Sequence, residues 1–107
     1  MAKLLSIQEP DEENGVLKTV AYMFDCPGCG MSHEVYISPY KNAMGASWAF
    51  TGSFDKPTFF PSINAKAQKD SGELIFRCHS FVEDGMIRFL DDCTHSLAGK
   101  TVELPDV

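Results

Sequence analysis

Four cysteines and three histidines hold most of the chemistry this chain can offer. Cys26 and Cys29 are separated by two residues in Cys26-Pro27-Gly28-Cys29-Gly30. That spacing lets both sulfurs face one point across a tight turn, each about 2.3 Å from a zinc ion. Gly28 and Gly30 suit the positive φ angles of such a turn. Amides around it can point at the sulfurs and share their negative charge. Two other readings compete. A redox Cys-x-x-Cys opens a helix whose N-terminus lowers the thiol pKa, whereas Gly30 to Ile37 (GMSHEVYI) is a strand pattern. A buried pair of small apolar thiols fits badly beside a proline and two glycines. The residues favour a metal.

A structural zinc takes four ligands, and His33, Cys78, His79, Cys93 and His95 can complete the set. Asp84-Gly85 is the strongest hairpin signal in the chain. As a two-residue turn it pairs Glu83 with Met86, Val82 with Ile87, Phe81 with Arg88 and Ser80 with Phe89. One face then carries Leu74, Phe76, Cys78, Ser80, Val82, Ile87 and Phe89. The other carries Ile75, Arg77, His79, Phe81, Arg88 and Asp92. Adjacent strand residues point to opposite faces, so Cys78 and His79 do not both reach one metal without a bulge. Cys78, in the apolar set, reads as a small buried hydrophobe as readily as a ligand. His79, beside an Arg77/Asp92 cross-strand pair, is the better site candidate. Cys93 and His95 follow that strand, and either can turn toward His79. Taken alone, His95 reads equally as an exposed helix histidine, and His33 as a surface residue of an alternating strand.

A hydrolytic reading needs an open metal position and a general base. Asp92, Asp91 or Glu83 would supply the base near His79 and His95. Asp91-Asp92 also reads as the first turn of a helix, favoured by its dipole. No HExxH, nucleophile elbow or phosphate loop is present. Trp48, Phe50, Phe54, Phe59 and Phe60 read as core, or as a recognition patch around Gly52 to Pro57.

These residues sit on short, mostly extended elements. Strands are expected at Lys3 to Ile7, Val16 to Phe24, His33 to Ser38 and Ser47 to Thr51. Thr58 to Asn64 (TFFPSIN) reads as one edge or bulged segment, because Pro61 removes a ladder donor. Glu73 to Glu83 and Met86 to Leu90 form the hairpin. Asp91 to Gly99 is predicted as a short C-terminal helix with Gly99 as its stop, and Thr101 to Leu104 as extended. The fold class is mainly β: a small antiparallel sheet, sandwich or partly open barrel with a zinc knuckle and one short helix.

The 107 residues make one zinc-binding β-rich domain (1–107), with a short strand and acidic loop at 1–15 and a tail at 105–107. Fifteen acids against nine bases give a net charge of −6, too acidic for a duplex-DNA footprint. No apolar run approaches the ~20 residues that span a bilayer. No signal peptide is read at the N-terminus, so a reducing cytoplasm is expected, with thiols or metal ligands rather than disulfides.

The block from Cys78 to Pro105 resembles the C-terminal signature of a family of uncharacterised small phage and prophage zinc-site proteins. Lys56 to Ile63 (KPTFFPSI), after Trp48 and Gly52, resembles its central motif, and the CPGC turn its N-terminal part. The resemblance covers Cys26 to Pro105. Family members often bear the label ammonia monooxygenase, which does not suit a chain without a membrane segment. Relatives occur near bacterial ubiquitin-like conjugation genes. The resemblance implies one zinc per chain held by Cys26, Cys29, His79 and His95, with Cys93 or Cys78 as substitutes. It also implies a phage-encoded role. The function expected is a zinc-stabilised module binding a host protein, with no duplex nucleic acid or membrane partner. The alternative is a zinc-dependent hydrolase using His79 and His95 with Asp92 or Glu83 as base.

Overall fold

Residues 2–107 are described by the computed structural model. Their β-branched and aromatic stretches form nine strands in three antiparallel sheets. The first joins β1 (Leu5–Pro10), β2 (Leu17–Asp25) and β3 (Ser32–Tyr36) in sequence order. The second is the ribbon of β4 (Ala49–Gly52) and β5 (Pro57–Phe60). The third orders β6 (Ile63–Gln68), β7 (Leu74–Glu83), β8 (Met86–Phe89) and β9 (Thr101–Glu103) side by side. The fold is thus mainly β, as the patterning implies. No sheet closes into a barrel, and no helix is long and apolar enough to cross a membrane among the described residues.

The β7–β8 hairpin has the register that the Asp84-Gly85 turn dictates. Glu83 pairs with Met86, Val82 with Ile87, Phe81 with Arg88 and Ser80 with Phe89. Asp84 and Gly85 take φ of 51° and 77°, the two positive angles of a type I′ turn. The apolar face of β7 is the buried one: Cys78, Ser80 and Val82 are all enclosed. Cys78 and Val82 join Phe24, Val35, Phe59, Ile87 and Phe89 in the central core.

Two expectations are corrected. The predicted helix at Asp91–Gly99 does not form, and the segment is a series of turns. Its amides are committed elsewhere. Thr94 N–H donates to Arg77 O (2.9 Å) and Gly99 N–H to Phe89 O (3.1 Å). Tertiary pairing to β7 and β8 therefore overrides a weak local helix preference. The TFFPSIN stretch is not one segment either. Pro61 has no N–H to give a ladder, and the chain breaks there: β5 pairs with β4, β6 with β7. Ser62 sits in that crossing.

Candidate functional site

Cys26 follows directly on β2, and its N–H donates to Met31 O at 2.9 Å, closing the knuckle. β3 then returns antiparallel, with His33 opposite Phe24. This turns the His33 ring inward, where it is buried and 5.3 Å from the Phe24 ring. Cys78 meets the knuckle from the inner face of β7. Cys26, Cys29, His33 and Cys78 present ligand atoms that all lie within 4.8 Å of one another. Cys26 Sγ is 3.6 Å from Cys78 Sγ, and Cys29 Sγ is 3.5 Å from His33 Nε2. Sulfurs around a tetrahedral ion at about 2.3 Å stand roughly 3.8 Å apart, so the cluster is compatible with a single metal site.

The thiols respond to their crowding. The hydrogen bond from Cys78 drives the Cys26 thiol far below its ordinary pKa, against burial, with help from His33 and the amides of Cys29 and Gly28. The Cys78 thiol is pushed up by that same bond and by burial. Burial raises Cys29. A bound divalent cation would relieve the repulsion that helps keep the Cys29 and Cys78 thiols protonated.

His95 stands just behind this cluster. Its Nδ1 accepts from Leu97 N–H at 3.2 Å, which leaves the proton on Nε2, 3.4 Å from Cys78 Sγ. The imidazole therefore donates to the Cys78 sulfur and orients it. Its ring is edge-on to Phe89 at 4.5 Å. Gly28 is explained by this packing. Gly30 takes positive φ, whereas Gly28 does not. A Cβ on Gly28 would come within 2.6 Å of His95 Nε2 and 2.8 Å of Phe89 Cζ.

His79 points the other way, as strand parity requires. On the outer face its Nε2 is 3.1 Å from Ser62 Oγ, and its Nδ1 is 3.2 Å from Asp92 Oδ2. Asp92 also faces Arg77 Nη1 at 3.6 Å, the cross-strand pair that the register implies. The hydrogen bond from His79 holds the Asp92 carboxyl below its ordinary pKa, opposed by partial desolvation. With Nδ1–H donating to Asp92, Nε2 is free to accept the Ser62 proton. A serine, a histidine and an aspartate in this order and at these distances match the nucleophile–base–orienter arrangement of acyl-transfer enzymes.

Cys93 serves the same histidine through its backbone. Its thiol donates to His79 O (3.1 Å) and receives His79 N–H (3.2 Å). Ser62 is fixed from the opposite side, where Trp48 Nε1 donates to its carbonyl at 3.2 Å.

Of the four ligands expected, the structure brings Cys26 and Cys29 together with His33 and Cys78. His95 lies one contact behind Cys78, and His79 belongs to a different cluster with Ser62 and Asp92. Glu83 is exposed at the hairpin end. The serine gave no signal in the sequence, since neither Pro61-Ser62 nor its surroundings form a known nucleophile motif.

The comparisons add one decisive observation. A family model described as bacterial ubiquitination-like system serine protease (BubE) matches residues 4–90. The chain belongs to the BubE family. The match spans the knuckle, His33, Ser62, Cys78 and His79, and stops two residues before Asp92. It agrees with the resemblance to relatives near ubiquitin-like conjugation genes, and does not extend to a phage origin. Searches of curated proteins and of solved structures find no match.

Proposed function

We propose that this chain is a serine protease of the bacterial ubiquitination-like system, with Ser62 as nucleophile, His79 as general base and Asp92 as its orienter. The observation that carries this reading is the pair of contacts at His79, 3.1 Å to Ser62 Oγ and 3.2 Å to Asp92 Oδ2. Ser62 Oγ attacks the substrate carbonyl carbon, and His79 Nε2 takes the hydroxyl proton. The same proton then goes to the leaving group as the acyl–enzyme forms. Asp92 stabilises the imidazolium and fixes its tautomer. Water then repeats the sequence in reverse and releases the acid.

The Cys26, Cys29, His33 and Cys78 set is assigned to one zinc per chain. Three thiols and an imidazole suit a structural site, where a bound ion would cross-link the knuckle to β7. Cys78 and His79 are consecutive on β7, so tying Cys78 to the knuckle fixes the strand that carries the base.

The test is labelling with a fluorophosphonate probe, read by mass spectrometry, beside zinc content. The expected result is one adduct on Ser62 that vanishes in Ser62→Ala and His79→Ala while zinc stays near one per chain. A zinc-loaded, folded protein without any Ser62 adduct would overturn the reading. It would leave the zinc-stabilised module that binds a host protein as the surviving function.

A further inference from the structure

Ser62 stands at one end of a groove that no catalytic step requires. It encloses about 930 Å³, and the residues of β6 run along one wall. From Asn64 to Gln68 that wall spans five residues, about 13 Å at roughly 3.3 Å per step. The opposite wall is the 42–48 loop, with Trp48 at its foot. The loop is preformed: Asn42 Oδ1 accepts from Met44 N–H and Ala46 N–H, each at 2.9 Å.

β6 is an end strand of its sheet, paired with β7 on one side only. Its other edge therefore offers a row of backbone donors and acceptors with no strand beside it. The register places Asn64 opposite His79 and Lys66 opposite Arg77. By parity, Asn64 and Lys66 lie on the face to which Ser62 and His79 project, and both are exposed. Lys66 is the one charged residue lining the groove.

We infer that the substrate enters as an extended peptide that adds a strand to the free edge of β6, delivering its carbonyl to Ser62 at the strand's end. This rests on the serine-protease reading and specifies how the substrate is held. A small ester or a folded surface would use neither the length of the groove nor the unpaired edge. Backbone pairing gives affinity with little dependence on sequence, while alternate side chains face the groove and supply selectivity. Lys66 then favours uncharged or acidic side chains in that register.

The experiment uses the full zinc-loaded protein and a positional-scanning library of fluorogenic peptides, scored by kcat/KM. The best member is resynthesised with a single N-methyl amide at each position in turn. The expected pattern is a loss of tenfold or more at every second amide and little change between, the period-two signature of strand addition. Lys66→Glu is expected to shift preference from acidic to basic side chains at one position. A flat N-methyl scan, or no cleavage of any library peptide by a protein whose Ser62 takes the fluorophosphonate, overturns the inference and leaves the triad standing. Absence of the Ser62 adduct instead removes the serine-protease reading on which it rests.

Discussion

Cys78 and His79 are neighbours on β7 and serve two unlike sites. The inner site is closed by four buried or half-buried donors and shielded by Phe24 and Phe89. The outer site is half-open, beside a groove, and its aspartate is exposed. The difference teaches how a small domain separates stability from reactivity. Strand parity alone places the Cys78 thiol of the candidate metal cluster on one face and the His79 of the proposed triad on the other. Neither site need compromise for the other, yet both depend on one register.

The largest expected effect breaks the comparison from the outer side. His79→Ala should lower kcat/KM by about 10⁴-fold or more, the scale of losing a triad base. Its zinc content and melting temperature should stay near those of the parent. If zinc is lost as well, the two faces are not independent. Cys78→Ser attacks the inner side. It should release the metal and lower the melting temperature by more than about 10 °C, since losing a structural ligand costs several kcal/mol. Elemental analysis and calorimetry report both.

Gly28→Ala sharpens the comparison without touching a ligand. The added methyl must displace the His95 ring, so Cys78 loses its hydrogen bond from His95. Zinc affinity, measured by competition with a chelating dye, should fall about 10- to 100-fold. Peptidase activity at saturating zinc should change far less.

The smallest effect concerns acid. Asp92 has a folded pKa below its ordinary value of 3.8 because of His79. Its contribution to stability is therefore present above that value and is lost as pH falls through the lowered one. NMR titration of the carboxyl carbon should show a midpoint below 3.8. His79→Ala should bring it back toward the ordinary value.

Much of this was legible from residue types. The Asp84-Gly85 turn determines the β7–β8 register, and with it the opposed faces of Cys78 and His79 and the Arg77–Asp92 pair. The Cys26–Cys29 knuckle is equally plain from its spacing. What stayed hidden depends on contacts between distant segments. His33 alternates in a strand like any surface residue, and only the packing of β3 against Phe24 turns it inward. Cys78 looks apolar because it is buried, and burial is also where a structural ligand sits. Ser62 was masked by reading TFFPSIN as one strand. The break at Pro61 puts it in the crossing just ahead of β6, beside the histidine opposite Asn64. The helix expected at Asp91–Gly99 failed because propensity over so short a stretch is weaker than pairing to β7.

Trp48 is the single tryptophan of the chain, and its indole is bonded to the carbonyl of Ser62 at the foot of the groove. Its emission is therefore an intrinsic optical reporter of that one location. A ligand settling along β6 changes the polarity and solvent access around the ring, so intensity and wavelength should follow occupancy directly. Stopped-flow fluorescence on the unlabelled protein can then separate substrate arrival from acyl transfer in a single trace.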